Sequence, residues 1–294
     1  MVILITGASG FLGSRIVKKI NSLPDYKCFC LGFNNIPKIN GIQANLSDKK
    51  KVFQVFNQVN PDLIIHAAAM TDVDQCEKDL LNAYRLNVQA TKNIVEWVSI
   101  QEKSIRFVYI STDQVYNNLQ LYSSATEEEV NPINFYGMSK LWAEDIVSSL
   151  NNYLILRTNF FSFEGGLIKW LFDSNSSSQK INLFENIWFN PIYIPDFIDA
   201  LLRTLKSDKV GVFNLGARDS GITKADFLEM IIIKFNLSDI SSVRSKFDNN
   251  IFLTAKRPLN MMMSINKFEN SFSHNLPSIE ESVDRMIYEF KNLK

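Results

Sequence analysis

The sequence predicts an α/β fold: a doubly wound parallel sheet with helices on both faces, followed by a smaller C-terminal lobe. Short apolar runs alternate with amphipathic stretches from residue 1 to about 160, a glycine-containing turn follows the first run, and the alternation loosens beyond residue 160. Strands of a parallel sheet are buried on both faces, so they read as continuous apolar segments joined by crossover helices.

The expected strands are Val2 to Thr6, Lys27 to Gly32, Gly41 to Ala44, Asp62 to Ala67, Arg106 to Ser111 and Tyr153 to Arg157. Leu12, Ile16, Val17 and Ile20 fall on one helical face, as do Val52, Phe53 and Phe56, so these crossovers have an apolar stripe to lay on the sheet. Residues 1–160 are expected to form the sheet domain and residues 161–294 mainly the smaller lobe, with some segments returning to the first domain. Within the lobe, Ser174 to Ser178 reads as a loop, and Thr223-Lys-Ala-Asp226 and Ser278-Ile-Glu-Glu281 read as helix N-terminal caps. No period of a repeat protein recurs, which excludes a solenoid or propeller.

Composition narrows the function classes. The chain has 31 basic and 31 acidic residues, so no net field attracts nucleic acid or an anionic membrane. Met1 runs straight into the first apolar segment, which leaves no leader pattern, and Met230 to Ile233 is far short of the roughly 20 apolar residues that cross a bilayer. Cys28, Cys30 and Cys76 are odd in number and lack C-x-x-C spacing, which points to buried thiols in a reducing compartment, with cytoplasm the expected location.

The segment Thr6-Gly7-Ala8-Ser9-Gly10-Phe11-Leu12-Gly13 lies between the first strand and the first helix. A dinucleotide-binding Rossmann fold needs glycine there for the tight turn, for approach of the pyrophosphate and for helix–sheet packing. Gly7, Ser9, Gly10, Phe11, Leu12 and Gly13 are therefore expected to hold the cofactor. Gly32-Phe33-Asn34-Asn35 ends the second strand without the carboxylate that binds the ribose of NAD, which favours NADPH while NADH stays open. Arg15 and Lys38 are candidates for a 2′-phosphate, and each also reads as a solvated surface charge. Asn45 and Leu46 after the third strand, and Ala67, Ala68 and Ala69 after the fourth, stand at strand carboxyl ends where such sheets bind ligands; Asn45 reads equally well as a turn residue.

Tyr136-Gly-Met-Ser-Lys140 opens a helix, and the spacing of four puts phenol and ammonium on one face. A free phenol titrates near pH 10, so a neighbouring cation lets it exchange a proton closer to neutrality. This pair alone is weak evidence. It gains weight because the glycine turn and a strand ending in Ser111-Thr112 precede it.

With these residues in place, the chain resembles the extended short-chain dehydrogenase/reductase family, and within it the dTDP-4-dehydrorhamnose reductase group. The resemblance covers nearly the whole chain: Thr6 to Gly13, Asn45 to Asp48, Asn60 to Ala69, Thr71 to Glu77, Ile110 to Asp113, Tyr136 to Lys140, Asn190 to Asp196 and Ala255 to Pro258. It implies that Thr112 hydrogen-bonds the substrate carbonyl, Tyr136 donates the proton, and Lys140 holds the nicotinamide ribose and lowers the tyrosine pKa. Tyr136 and Lys140 thus count on the cofactor side as well. Asn87 matches an asparagine that supports the site in the family, and it reads equally well as a structural helix residue. Asp113, Gln114 and Asn190 are expected on the substrate side, together with Arg257, whose guanidinium suits a diphosphate.

Gln114 departs from the pattern, since rhamnose-type reductases place tyrosine there. Related dehydratases place glutamate there as a base, so the amide disfavours loss of water. The expected reaction is reduction of a nucleotide-activated 4-keto-6-deoxy sugar, with a nucleotide sugar as the partner molecule and a homodimer as an allowed assembly. A 4-epimerase with retained NAD and a non-catalytic subunit, similar to the regulatory subunit of methionine adenosyltransferase, are the alternatives. No metal is expected: His66 and His274 lie far apart without ligand spacing, and Asp72, Asp74 and Glu77 read as a helix start.

Overall fold

The computed structural model describes the chain except residues 34, 37, 119–122, 176–179, 219, 238–239, 250–253 and 293–294. Asn34 and residues 176–178 of the serine stretch therefore lie outside the described residues. Two compact units interleave along the chain: unit 1 is 1–112, 134–157 and 208–213, and unit 2 is 113–133, 158–207 and 214–294.

Unit 1 carries the sheet. Its strands are β1 (Val2–Thr6), β2 (Lys27–Gly32), β3 (Gly41–Gln43), β4 (Leu63–His66), β5 (Arg106–Ile110) and β6 (Tyr153–Thr158). With the strand Gly211–Leu215 at one edge, the spatial order runs from that strand through β6, β5, β4, β1 and β2 to β3. The pairs β1–β2, β1–β4, β2–β3, β4–β5 and β5–β6 are all parallel. The order reverses at β1, and an open sheet of this kind binds its ligand at such a switch point.

The crossovers are α1 (Phe11–Asn21), α2 (Lys49–Val59), α3 (Val73–Lys78), α4 (Leu80–Tyr84), α5 (Ala90–Ser99) and α6 (Phe135–Val147). Leu12, Ile16, Val17 and Ile20 are buried on α1, as are Val52 and Phe56 on α2, while Phe53 is partly buried against the same core. Asp48, Asp72 and Asp79 cap α2, α3 and α4 by accepting the third backbone N–H onward. Between α4 and α5 the chain makes a π-helical turn, Arg85–Gln89, a rare form found often at functional sites.

A buried polar chain crosses the sheet at the end of β4. Thr91 Oγ donates to the Asn87 carbonyl at 2.7 Å, so its one proton is committed, and His66 Nε2, 3.0 Å away, must donate to Thr91. His66 Nδ1 then accepts from Thr6 Oγ1 at 2.6 Å, while that oxygen accepts from Ala68 N at 3.3 Å. Only the neutral imidazole with its proton on Nε2 satisfies every partner.

Burial, reinforced by the Lys140 charge, accordingly pushes the His66 pKa down to about 3 from 6.5. The unfolded state takes up a proton below 6.5 that the folded state refuses until about pH 3. Stability is therefore intact above this window and is lost progressively as pH falls through it, by about 1.4 kcal/mol per pH unit. Urea midpoints between pH 7 and pH 4 should show this slope, and His66→Gln should flatten it. An unchanged slope in the variant would assign the acid sensitivity elsewhere.

Unit 2 is built on helices Gly166–Asn175, Ile194–Thr204, Lys224–Lys234 and Ile279–Lys291. Its core includes Phe161, Phe189, Tyr193, Phe227, Ile231 and Met286. The two expected caps form: Thr223 accepts from Asp226 N, and Ser278 and Glu281 make a reciprocal capping box. Among the described residues, no helix is long and apolar enough to cross a membrane.

Candidate active site

The glycine turn shows why each glycine stands where it does. Gly7 has φ +66°, and a Cβ on it would lie 2.7 Å from Ala68 N; a Cβ on Gly13 would lie 2.1 Å from the Gly7 carbonyl oxygen. The turn closes through Gly10 N donating to Gly7 O at 2.9 Å, and Gly10 then begins α1. No side chain caps α1 and no acidic residue lies in its first turn. A helix start without its own anion, beside a backbone too close for any Cβ, fits a pyrophosphate. Ser9 and Gly10 are exposed, Phe11 is half-buried, and Leu12 and Gly13 pack inward.

Arg15 stacks its guanidinium 4.2 Å from the Phe11 ring centre and donates to the Phe11 carbonyl; Lys38 is exposed. Asn45 Oδ1 accepts from Ser47 N at 3.1 Å and Ser47 Oγ at 2.6 Å, the turn geometry its side chain favours. Leu46 is held by Asn93 Nδ2 on its carbonyl at 2.8 Å, and an open pocket of about 430 Å³ lies beside Asn45, lined also by Tyr84, Arg85 and Gln89. Ala67, Ala68 and Ala69 are part-exposed at the end of β4.

Asn134 starts α6 by accepting from Gly137 N at 2.9 Å, which puts Tyr136 in the first turn and Lys140 in the second. Tyr136 is 8% exposed and Lys140 2%. Lys140 Nζ donates to the Ile110 carbonyl at 2.8 Å and lies 4.1 Å from the centre of the Tyr109 ring, so the ammonium is carried to the carboxyl end of β5. Thr112, two residues beyond Ile110, is 6% exposed. Unit 1 therefore holds Thr112, Tyr136 and Lys140 together with the glycine turn. Burial pushes the Lys140 pKa down to about 7, against the opposing pull of the Glu144 carboxylate.

The π-helical turn presents Asn87 to this region. Its Oδ1 accepts from Met70 N at 2.8 Å, and its Nδ2 donates to Met70 O at 3.1 Å and to Ser139 Oγ at 2.9 Å. Ser139 passes the link to the Tyr136 carbonyl at 2.8 Å. Asn87 is thus a brace between the segment after β4 and α6.

The substrate-side candidates lie in unit 2. Asp113 accepts from Asn159 Nδ2 at 2.5 Å, and Gln114 Nε2 lies 2.8 Å from the Met261 sulfur. Asn249 clasps the Arg257 backbone at both N and O. Asn190, also expected on the substrate side, joins separate stretches of backbone. It is fully buried, its amide donates to the carbonyls of Ala217 and Met263, and its Oδ1 accepts from Met263 N. Lys224, which the sequence pattern did not single out, has its pKa lowered by burial, raised by Asp113 and lowered again by Arg257, so these three charges share one neighbourhood. Asp72 and Glu77 serve helix starts, Glu77 accepting from Phe135 N at 3.0 Å.

The family model described as RmlD substrate binding domain matches residues 1–292. The chain belongs to the RmlD substrate binding domain family. A probable low-salt glycan biosynthesis reductase of Haloferax volcanii is 25% identical over 96% of this chain and 96% of its own length. The dTDP-4-dehydrorhamnose reductase of Aggregatibacter actinomycetemcomitans is 24% identical over 92% of each chain. Methionine adenosyltransferase 2 subunit beta of Rattus norvegicus is 28% identical over 91% of this chain and 81% of its own length. Among solved structures, dTDP-4-dehydrorhamnose reductase of Bacillus anthracis, in complex with NADP, superposes with a TM-score of 0.86 at 25% identity, covering 98% of this RmlD-family chain and 99% of that one.

Proposed function

We propose that this chain uses NADPH to reduce the C4 ketone of a nucleotide-activated 4-keto-6-deoxy sugar, turning dTDP-4-dehydro-L-rhamnose into dTDP-L-rhamnose. It is a sugar-nucleotide reductase, an oxidoreductase of polysaccharide biosynthesis. The proposed location is the cytoplasm. The observation that carries the reading is Lys140 tethered to the end of β5 beside Thr112, one turn from Tyr136.

When bound, the nicotinamide supplies a hydride to C4. Thr112 then donates a hydrogen bond to the C4 oxygen, and Tyr136 gives that oxygen its phenolic proton. Lys140, charged at the pH where it works, stabilises the phenolate that Tyr136 leaves behind. Gln114 has no proton-accepting carboxylate to remove a proton from the sugar, which favours reduction over dehydration.

Purified protein should oxidise NADPH faster than NADH when given the dTDP-linked ketone, and more slowly with UDP- or GDP-linked ketones. No substrate-dependent oxidation with any of them would refute the reading. Likeness to methionine adenosyltransferase 2 subunit beta favours a second reading, a cofactor-binding subunit without turnover. That reading predicts a stoichiometric enzyme partner on affinity capture together with absent ketone reduction.

A further inference from the structure

Glu144 follows Lys140 by one turn of α6 and is equally buried, at 2% exposure. A carboxylate in such surroundings persists in charged form only with partners. Arg157 of β6 supplies them: its Nε lies 3.0 Å from each carboxylate oxygen and its Nη2 lies 2.6 Å from Oε2. The Ser111 hydroxyl donates to Oε1. Ser111 stands between Ile110, whose carbonyl accepts the hydrogen bond from Lys140, and Thr112. One carboxylate thus joins α6, β5 and β6 where the reacting side chains are mounted.

Such a pair is a poor way to gain stability, since apolar residues of similar volume generally do as well or better. Its charge makes sense beside a second buried cation. We propose that Glu144, fixed by Arg157 and Ser111, is a positioning residue that keeps Lys140 charged beside Tyr136. This inference rests on the reductase reading of Tyr136 and Lys140.

The groups around Lys140 can be named element by element. Tyr136 and Glu144 share its helix, Tyr109 faces it from β5, and neutral His66 stands on β4. Arg157 acts from β6 through Glu144. Cys76 packs with Tyr136 from α3, and Glu77 meets the first turn of α6. On α4, Tyr84 lies edge-on to Trp142, and on α5 Glu96 pairs outward with Lys49 and Lys92. Glu144 is therefore the acidic group buried next to the ammonium, and Arg157 is the cation that tempers it.

The two partners must act in opposite directions. Lys140 is charged below its pKa and loses that charge as pH rises. Glu144→Gln leaves two cations without the carboxylate between them, so the loss moves to lower pH. Arg157→Met leaves the carboxylate uncompensated, so the loss moves to higher pH. Each shift should be about one pH unit, a tenfold change in the charged-to-neutral ratio.

The test is the alkaline limb of NADPH affinity, titrated by protein fluorescence without sugar, alongside the alkaline limb of kcat. Opposite shifts in Glu144→Gln and Arg157→Met, with Glu144→Asp and Arg157→Lys holding the wild-type limb, support the proposal. Limbs that stay fixed or move together while thermal midpoints fall would reduce the pair to a structural brace and overturn it. If Glu144→Gln does not fold, Arg157→Met against Arg157→Lys decides the matter by the same criterion. Because affinity is read without substrate, wild-type protein that binds NADPH with this limb yet reduces no ketone would sink the reductase reading alone.

Discussion

Tyr136→Phe is expected to lower kcat for ketone reduction by roughly 100- to 10,000-fold, the range that loss of a positioned general acid produces. The Michaelis constant should change little, because the proton is given in the transition state and not in ground-state binding. The ring itself stays, and it is the ring that packs with Cys76 and Ala83 in the small core beneath the start of α6. Thermal midpoint and NADPH affinity should therefore match wild type. Steady-state kinetics and a melt on the same preparation check both halves. Activity within a few fold of wild type would remove Tyr136 from the chemistry, and a large fall in midpoint would mean that the hydroxyl holds the fold.

The second large effect is expected at Gly13. An alanine methyl there falls 2.1 Å from the Gly7 carbonyl oxygen and 2.8 Å from the Gly7 carbonyl carbon, both backbone atoms that no rotamer change can move aside. Gly13 lies within α1, where alanine is otherwise favoured, so the cost comes from the approach of helix to turn and not from backbone propensity. Overpacking of this kind costs about 1–3 kcal/mol, sometimes more. Relief must come from sliding α1 away from the turn, which also spoils the geometry of the uncapped helix start. Gly13→Ala should lower the urea midpoint and weaken NADPH binding by at least about tenfold, since each 1.4 kcal/mol lost at the anion seat is a factor of ten. Wild-type NADPH affinity in this variant would mean that the glycine turn does not hold the pyrophosphate.

Much of unit 1 was legible because its signals are local. The apolar runs that predict strands coincide with β1 and β2; β6 runs one residue further, to Thr158, and β3, β4 and β5 are shorter by a residue or two, with Ala44, Asp62, Ala67 and Ser111 outside the strands. Those residues end strands in polar or turning backbone, which an apolar run does not mark. The glycine turn and the spacing of Tyr136 from Lys140 were readable for the same reason.

What escaped the sequence lies in contacts between distant segments. All of residues 1–160 are expected in the sheet domain, with only later segments returning to it, whereas 113–133 fold with unit 2. Tyr116 Oη donates to Asn214 Oδ1 at 2.6 Å and Ala125 N donates to Met262 O at 2.8 Å, links spanning about a hundred residues that no periodicity announces. Glu144 and Arg157 likewise sit on a helix and a strand, each looking like an ordinary surface charge in sequence until the fold buries it. Asn190, placed on the substrate side by the resemblance, also carries contacts that its local sequence does not announce: its amide joins the backbone of Ala217 and Met263.

The π-helical turn at Arg85–Gln89 amounts to one residue more than a regular helix would hold there. Removing a single residue would let an ordinary helix run on from α4 into α5, with better hydrogen-bond geometry throughout. Yet it would rotate everything before the deletion by about 100°, the angular step of one helical residue, relative to everything after it. Asn87 could not then serve Met70 and Ser139 together while Thr91 kept its place beside His66. The irregularity is thus a constraint on length: an insertion or deletion there would put the two halves of the brace out of phase.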